Sequence, residues 1–167
     1  MRVRPILFLD VDGPLIPFGA PGHGAQGYGA PATARIRQAA RGNPLLERLD
    51  PRHGPWLAAL PCDLVWATTW GADANEVIAP LLDLPELPVV DWPDEDAAAG
   101  PVHWKTRGLV AWAAGRPFVW VDDEITAADR EWVAAHHPGP ALLHAVDRRC
   151  GLTREDVAAI AAWLTPP

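Results

Sequence analysis

Short unbroken apolar runs recur along this chain, and stretches with helical signals separate them. Ile6–Leu9 is the first run, residues 64–67 the second, Val89-Val90 a short third and 118–121 the fourth, and 141–146, apolar but for His144, reads as a fifth strand. A run that stays apolar without alternating suits a strand buried on both faces. Buried strands that alternate with helices predict a mainly parallel, five-stranded sheet with helices on both sides. The predicted class is α/β, a three-layer sandwich. The length, 167 residues, fits one domain over 1–167 and supports a sizeable core.

The intervening segments carry recognisable punctuation. Residues 13–30 are rich in Gly and Pro and read as a loop, the main part of an insertion at about 13–44. Residues 32–41 are expected to be a short helix and 45–49 a further strand. Asp50-Pro51 pairs a capping residue with Pro at the first helical position, opening a helix to about residue 60. Helices are predicted at about 73–82 and 104–114, with an acidic loop at 91–101 between them. Thr126 with Asp129, and Thr153 with Asp156, resemble capping boxes for the last two helices.

In open parallel sheets, function collects at the carboxyl ends of the strands. Here those positions are Asp10, Thr68, Asp91 and Asp122. Asp10 and Asp12, two apart in Asp10-Val11-Asp12-Gly13, can both face one cavity if Gly13 permits a tight turn. One carboxylate can attack phosphorus, and the other can protonate the leaving oxygen and then activate water. Asp122-Asp123-Glu124 places three acids side by side, a repulsion that Mg²⁺ would relieve. Thr68 puts a hydroxyl at a strand end before backbone N–H groups that suit a phosphate oxygen, with Thr69 as the competing choice. Lys105 is the only lysine, and Arg supplies the remaining Lys+Arg charge. It shares a helical face with Leu109 and Trp112, expected to be the buried face, and stands in the first turn, where the helix dipole disfavours a cation. Such a lysine needs an anion beside it. His103 is near enough in sequence to line the same site. Arg148, Arg149 and Arg154 could form a small anion patch, with a solvated basic face as the favoured reading.

Net charge is −7, which argues against a generic nucleic-acid coat. Cys62 and Cys150 lack zinc-site spacing and are too few for a disulfide scaffold, so they read as reduced thiols in a cytoplasmic protein. No apolar run is long enough to cross a bilayer. The first run stops at Asp10 without a small-residue cleavage site, which favours a strand over a signal peptide.

Taken together and in this order, Asp10-Val11-Asp12-Gly13, Thr68, Lys105 and Asp122-Asp123 resemble the four motifs of the haloacid dehalogenase (HAD) superfamily of phosphatases. The resemblance covers nearly the whole chain. It implies a Rossmann-like sheet with the first strand central, Asp10 as nucleophile and Asp12 as general acid/base. It implies Thr68 and Lys105 as phosphate holders. Mg²⁺ would be bound by Asp10, the backbone carbonyl of Asp12 and a fourth-motif aspartate, with Asp123 favoured as direct ligand and Asp122 as its neighbour. An acid at position 12 favours phosphate over halide chemistry.

More locally, residues 66–71 with Asn75, and later Gly151-Leu152-Thr153, look like small bacterial HAD domains associated with RNA-repair proteins. That raises a nucleotide or polynucleotide end as substrate. Gly13, Thr69 and Trp70 are candidate substrate contacts, Trp70 by stacking on a base or sugar. Neither interval between motifs has room for a large cap, so loops alone are expected to cover the site; an open site suits a bulky substrate, and small phosphates would also fit if 13–30 folded over as a lid. The expected ligand is a phosphorylated small molecule or nucleic-acid end, with no membrane and no obligate protein partner. The competing readings are a catalytically silent binding module of the same fold and a phosphotransferase.

Overall fold

The structure is a computed structural model that describes residues 3–19, 31–92 and 100–165. Residues 20–30 and 93–99 lie outside the described residues, and with them most of the Gly/Pro-rich loop, lid or not, and of the acidic loop.

Four parallel strands form the sheet: β1 Ile6–Leu9, β2 Asp63–Trp66, β3 Phe118–Asp122 and β4 Ala141–Ala145, in the order β2-β1-β3-β4. The chain passes from β1 to one side and then crosses to the other, so the topological switch lies between β1 and β3. Leu9 pairs with Val121, and the Asp10 N–H donates to the Val121 carbonyl at 3.1 Å. Asp10 and Asp122 therefore follow side by side at this switch.

The expected fifth strand is not formed. Val89 makes only an isolated bridge to Trp66, with Pro88 before it unable to donate a hydrogen bond. The sheet has four strands rather than five. Residues 45–49 are likewise not a strand: Pro44–Arg48 is a 3₁₀ helix, opened by the Asn43 side chain accepting from the Leu45 N–H. Leu46 and Leu49 are buried three residues apart while Leu45 is exposed, the period of a 3₁₀ turn and not of a strand.

The helices are α1 Ala34–Ala39, α2 His53–Ala58, α3 Ala79–Leu81, α4 Lys105–Ala113, α5 Ala127–His136 and α6 Arg154–Leu164. The expected helix at 73–82 is split into a π-helical turn, Ala74–Ile78, followed by α3. Pro80 lacks the N–H that an unbroken α-helix would use, and the Ala79 N–H reaches back to Ala74 instead. Both predicted capping boxes form, at Thr126/Asp129 and Thr153/Asp156. No helix among the described residues is long and apolar enough to cross a membrane.

Strand parity sorts the core into two layers. Leu7, Leu9, Trp66, Val119 and Val121 join one cluster, which includes Leu57 of α2 and Ile160 of α6. Ile6, Phe8, Val65, Phe118 and Trp120 join the other, with Leu109 of α4 and Val133 of α5. Burying each such side chain contributes roughly 2–3 kcal/mol. The same alternation carries Asp10 and Asp122 onto the side of Phe8 and Trp120, which α4 covers. Cys62 is buried, and burial pushes its thiol up to about 12; both cysteines are free.

Asp129 ties α5 to the start of α4. Its carboxylate accepts from the His103 N–H and the Thr106 hydroxyl, both at 2.6 Å, and from the Thr126 N–H and hydroxyl at 2.8 and 2.7 Å. Burial acts to raise its pKa, but the donors on Thr106, Thr126 and His103 outweigh it and hold the carboxyl below the usual range. A depressed carboxyl adds stability above its unfolded pKa and loses it as pH falls through the folded one. Asp129→Ala is expected to cost about 3 kcal/mol at pH 7. Urea unfolding should show the gap to the parent narrowing below about pH 4.

Candidate active site

Beyond β1 the chain curls at once. The Leu15 and Ile16 N–H groups both donate to the Val11 carbonyl at 2.9 Å, and the Gly13 N–H donates to the Ile16 carbonyl at 3.0 Å. Gly13 has φ +92°, and a Cβ there would lie 2.3 Å from Oδ1 of Asp123. The missing side chain thus leaves a cradle that the Asp123 carboxylate fills. The loop after β4 braces this curl: the Leu152 N–H donates to the Pro14 carbonyl, and the Phe18 N–H to the Arg148 carbonyl, both at 2.7 Å.

Lys105 opens α4 directly over the switch point. Its Nζ lies 2.8 Å from Oδ2 of Asp10 and 2.8 Å from Oδ2 of Asp122. All three are buried, with Lys105 3% exposed. Leu109, on the same helical face, is buried as expected; Trp112 is exposed at 37%, its ring edge against Phe8. Asp122 is heavily committed. Besides Lys105, its Oδ2 accepts from the Trp120 indole at 3.2 Å, and its Oδ1 accepts from the Glu124 N–H at 3.0 Å. Asp10 Oδ1 accepts from the Val11 N–H at 2.8 Å.

Burial pushes the Asp10 carboxyl up to about 7, with Lys105 opposing the shift and Asp122 adding to it. Burial acts downward on the Lys105 ammonium, but Asp10 and Asp122 outweigh it and hold it above its ordinary value. Burial also raises Asp123, against the opposing pull of Arg148.

Asp10, Asp122 and Asp123 each offer an oxygen within 4.8 Å of the others. Three hard oxygen donors this close together, one of them seated in a glycine cradle, fit a small divalent cation such as Mg²⁺. Asp12 stands at the rim, where its Oδ2 accepts from the Trp70 indole at 3.0 Å. Thr68 is fully buried just past β2, its hydroxyl accepting from the Trp70 N–H at 3.3 Å and its carbonyl from the Trp92 indole at 3.3 Å. Thr69 is exposed. His103 hydrogen-bonds through Nδ1 with the Lys105 N–H and lies 3.2 Å from Glu124. Asp91, the fourth strand-end position expected from sequence, is exposed at the edge of the described residues.

Two contacts escaped the sequence reading. Neither stacking nor packing, the two roles open to Trp70 from sequence, includes the hydrogen bond that its indole N–H donates to Asp12. Neither a solvated basic face nor an anion patch specifies the partner of Arg148, whose Nε and Nη2 lie 2.8 and 2.7 Å from Oδ2 of Asp123. Applying the strand-end rule to β4 as well would have brought residues 146–149 to this edge. Arg149 does pair locally, with Asp147.

The family model described as the HAD domain in Swiss Army Knife RNA repair proteins matches residues 6–157. No curated protein and no solved structure matches the chain.

The raised Asp10 carboxyl has a consequence for stability. Between about pH 4 and pH 7 the folded chain holds a proton there that the unfolded chain has released, so stability falls as pH rises through that window. Asp10→Asn removes this cost. In EDTA at pH 8 the variant is expected to be more stable than the parent by about 2 kcal/mol, with the difference vanishing near pH 4. Denaturant unfolding at the two pH values checks it.

Proposed function

We propose a function from one premise: the chain belongs to the family of HAD domains found in Swiss Army Knife RNA repair proteins. That membership supports a phosphatase or phosphotransferase type of enzyme. Our reading is a Mg²⁺-dependent phosphomonoester hydrolase that works through an aspartyl-phosphate on Asp10. The observation that carries it is the convergence of Asp10, Asp122 and Asp123, with Lys105 held between the first two.

In this reading Asp10, the backbone carbonyl of Asp12 and Asp123 would hold the cation. Asp123 is favoured as direct ligand because Asp122 is committed to three donors, the Lys105 ammonium, the Trp120 indole and the Glu124 N–H, whereas both Arg148 contacts to Asp123 go to Oδ2. A bound divalent cation would offset the crowded negative charge, keep Asp10 ionised and polarise a phosphoryl oxygen. Asp10 attacks phosphorus, and the bond to the ester oxygen breaks. Asp12, oriented by the Trp70 indole, gives its proton to the departing oxygen. Asp12 then takes a proton from water as that water attacks phosphorus, the bond to Asp10 breaks, and inorganic phosphate leaves. Thr68 and Lys105 take the developing charge on the phosphoryl oxygens. The family's association with RNA repair supports a nucleotide or polynucleotide end as substrate. Free thiols at Cys62 and Cys150 support a reducing, cytoplasmic setting.

Phosphate release from phosphorylated nucleotides and oligonucleotide ends, with Mg²⁺ or with EDTA, tests the reading. Activity is expected only with Mg²⁺, lost in Asp10→Asn and reduced ~10²- to 10⁴-fold in Asp12→Asn. Full activity in EDTA, or in Asp10→Asn, would overturn the mechanism.

A further inference from the structure

Among the described residues two permanently charged cations face the acids of this site, and they are held differently. Lys105 is sealed between Asp10 and Asp122. Arg148 stands at the rim, its side chain 51% exposed, on an Asp123 side chain that is only 4% exposed. Both of its contacts to Asp123 go to Oδ2, while Oδ1 lies against the Gly13 cradle. A third contact, at 3.1 Å, reaches Glu124. The main chain beneath Arg148 is pinned. Its carbonyl accepts from the Phe18 N–H, and the Asp147 carbonyl accepts from the N–H groups of Cys150 and Gly151 at 2.9 and 2.8 Å. The guanidinium, by contrast, rests against solvent and the face of Phe18, 5.6 Å from the ring centre.

This arrangement places a half-exposed monovalent cation on the carboxylate that a divalent cation would use. A metal ion bound by Asp10 and Asp123 would repel the guanidinium and take over the charge that holds it. The freed group would then stand on a fixed stem at the mouth of the site. Its planar fork of donors matches phosphate oxygens.

We propose that Arg148 exchanges partners during the reaction cycle: it pairs with Asp123 and Glu124 until the divalent cation binds, and then takes a phosphate oxygen of the substrate. The proposal rests on the phosphatase reading above and adds to it a residue that couples metal binding to phosphate binding. Arg148 competes with the metal in the absence of phosphate and supports the pair once both are present, so metal and phosphate bind cooperatively.

The test compares the full chain with Arg148→Ala and Arg149→Ala. Arg149 carries the same charge one residue away but pairs with Asp147. Mn²⁺ binding without phosphate is followed by electron paramagnetic resonance. Inorganic phosphate binding at saturating Mg²⁺ is followed by calorimetry. Arg148→Ala is expected to bind Mn²⁺ ~3- to 10-fold tighter, since a competing ion pair is gone, and to bind phosphate weaker by at least a similar factor. Arg149→Ala should change both by less than about twofold. Mn²⁺ binding that is unchanged or weaker in Arg148→Ala would overturn the proposal, because Arg148 would then not compete with the metal. Unchanged phosphate affinity, or equal effects in both variants, would do the same. Absence of Mn²⁺ binding by the parent chain would instead overturn the phosphatase reading, and this proposal with it.

Discussion

A single ammonium group makes the centre of this molecule possible. Asp10 and Asp122 end adjacent strands on the same side of the sheet, each under a tenth exposed. Two unpaired carboxylates buried at that spacing would each cost several kcal/mol. Lys105 contacts both at 2.8 Å, and its position in the first turn of α4 sets it against the helix dipole. The two carboxylates compensate for that position. Each charge is tolerable only because of the others, and the three together set where α4 begins over the sheet. The balance still leaves one excess negative charge, which is why burial keeps the Asp10 carboxyl high.

The rest of the site is arranged around this cluster by backbone geometry. The curl at 11–16 brings Gly13 under Asp123, joining the ends of β1 and β3 through a contact that any side chain at position 13 would block. The loop after β4 is stitched to the same curl by backbone hydrogen bonds, and so carries Arg148 to the edge where the acids lie. The ends of β1, β3 and β4 and the start of α4 thus meet at the topological switch, the position where open α/β sheets form their clefts. From beyond β2, the Trp70 indole reaches Asp12, and its backbone N–H donates to the buried Thr68 hydroxyl.

Much of this was legible in the order of residues. Ile6–Leu9 and the later runs named the four strands that formed, because a continuous apolar run leaves few alternatives to a doubly covered strand. The capping boxes were readable because a cap is a local hydrogen-bond pattern. What failed were short segments whose apolar content fits more than one period. Val89-Val90 follows Pro88 and makes one bridge instead of a strand. Residues 45–49 bury Leu46 and Leu49, so the turn opened by Asn43-Pro44 decided their shape. Pro80 diverted an otherwise acceptable helix into a π turn.

By itself the sequence determined the layered α/β architecture, the family, and the identities of Asp10, Asp12, Thr68, Lys105, Asp122 and Asp123 as residues at element ends. Periodicity, capping and the scarcity of lysine are properties of the chain read in one dimension. Only the tertiary structure decided which of those ends meet. Strand order and register put Asp10 beside Asp122, and helix placement put Lys105 between them. Loop packing gave Asp123 its cradle and its partner Arg148, and turned the Trp70 indole toward Asp12. These are contacts between residues tens of positions apart, and their geometry follows from how layers pack rather than from any local preference of the chain.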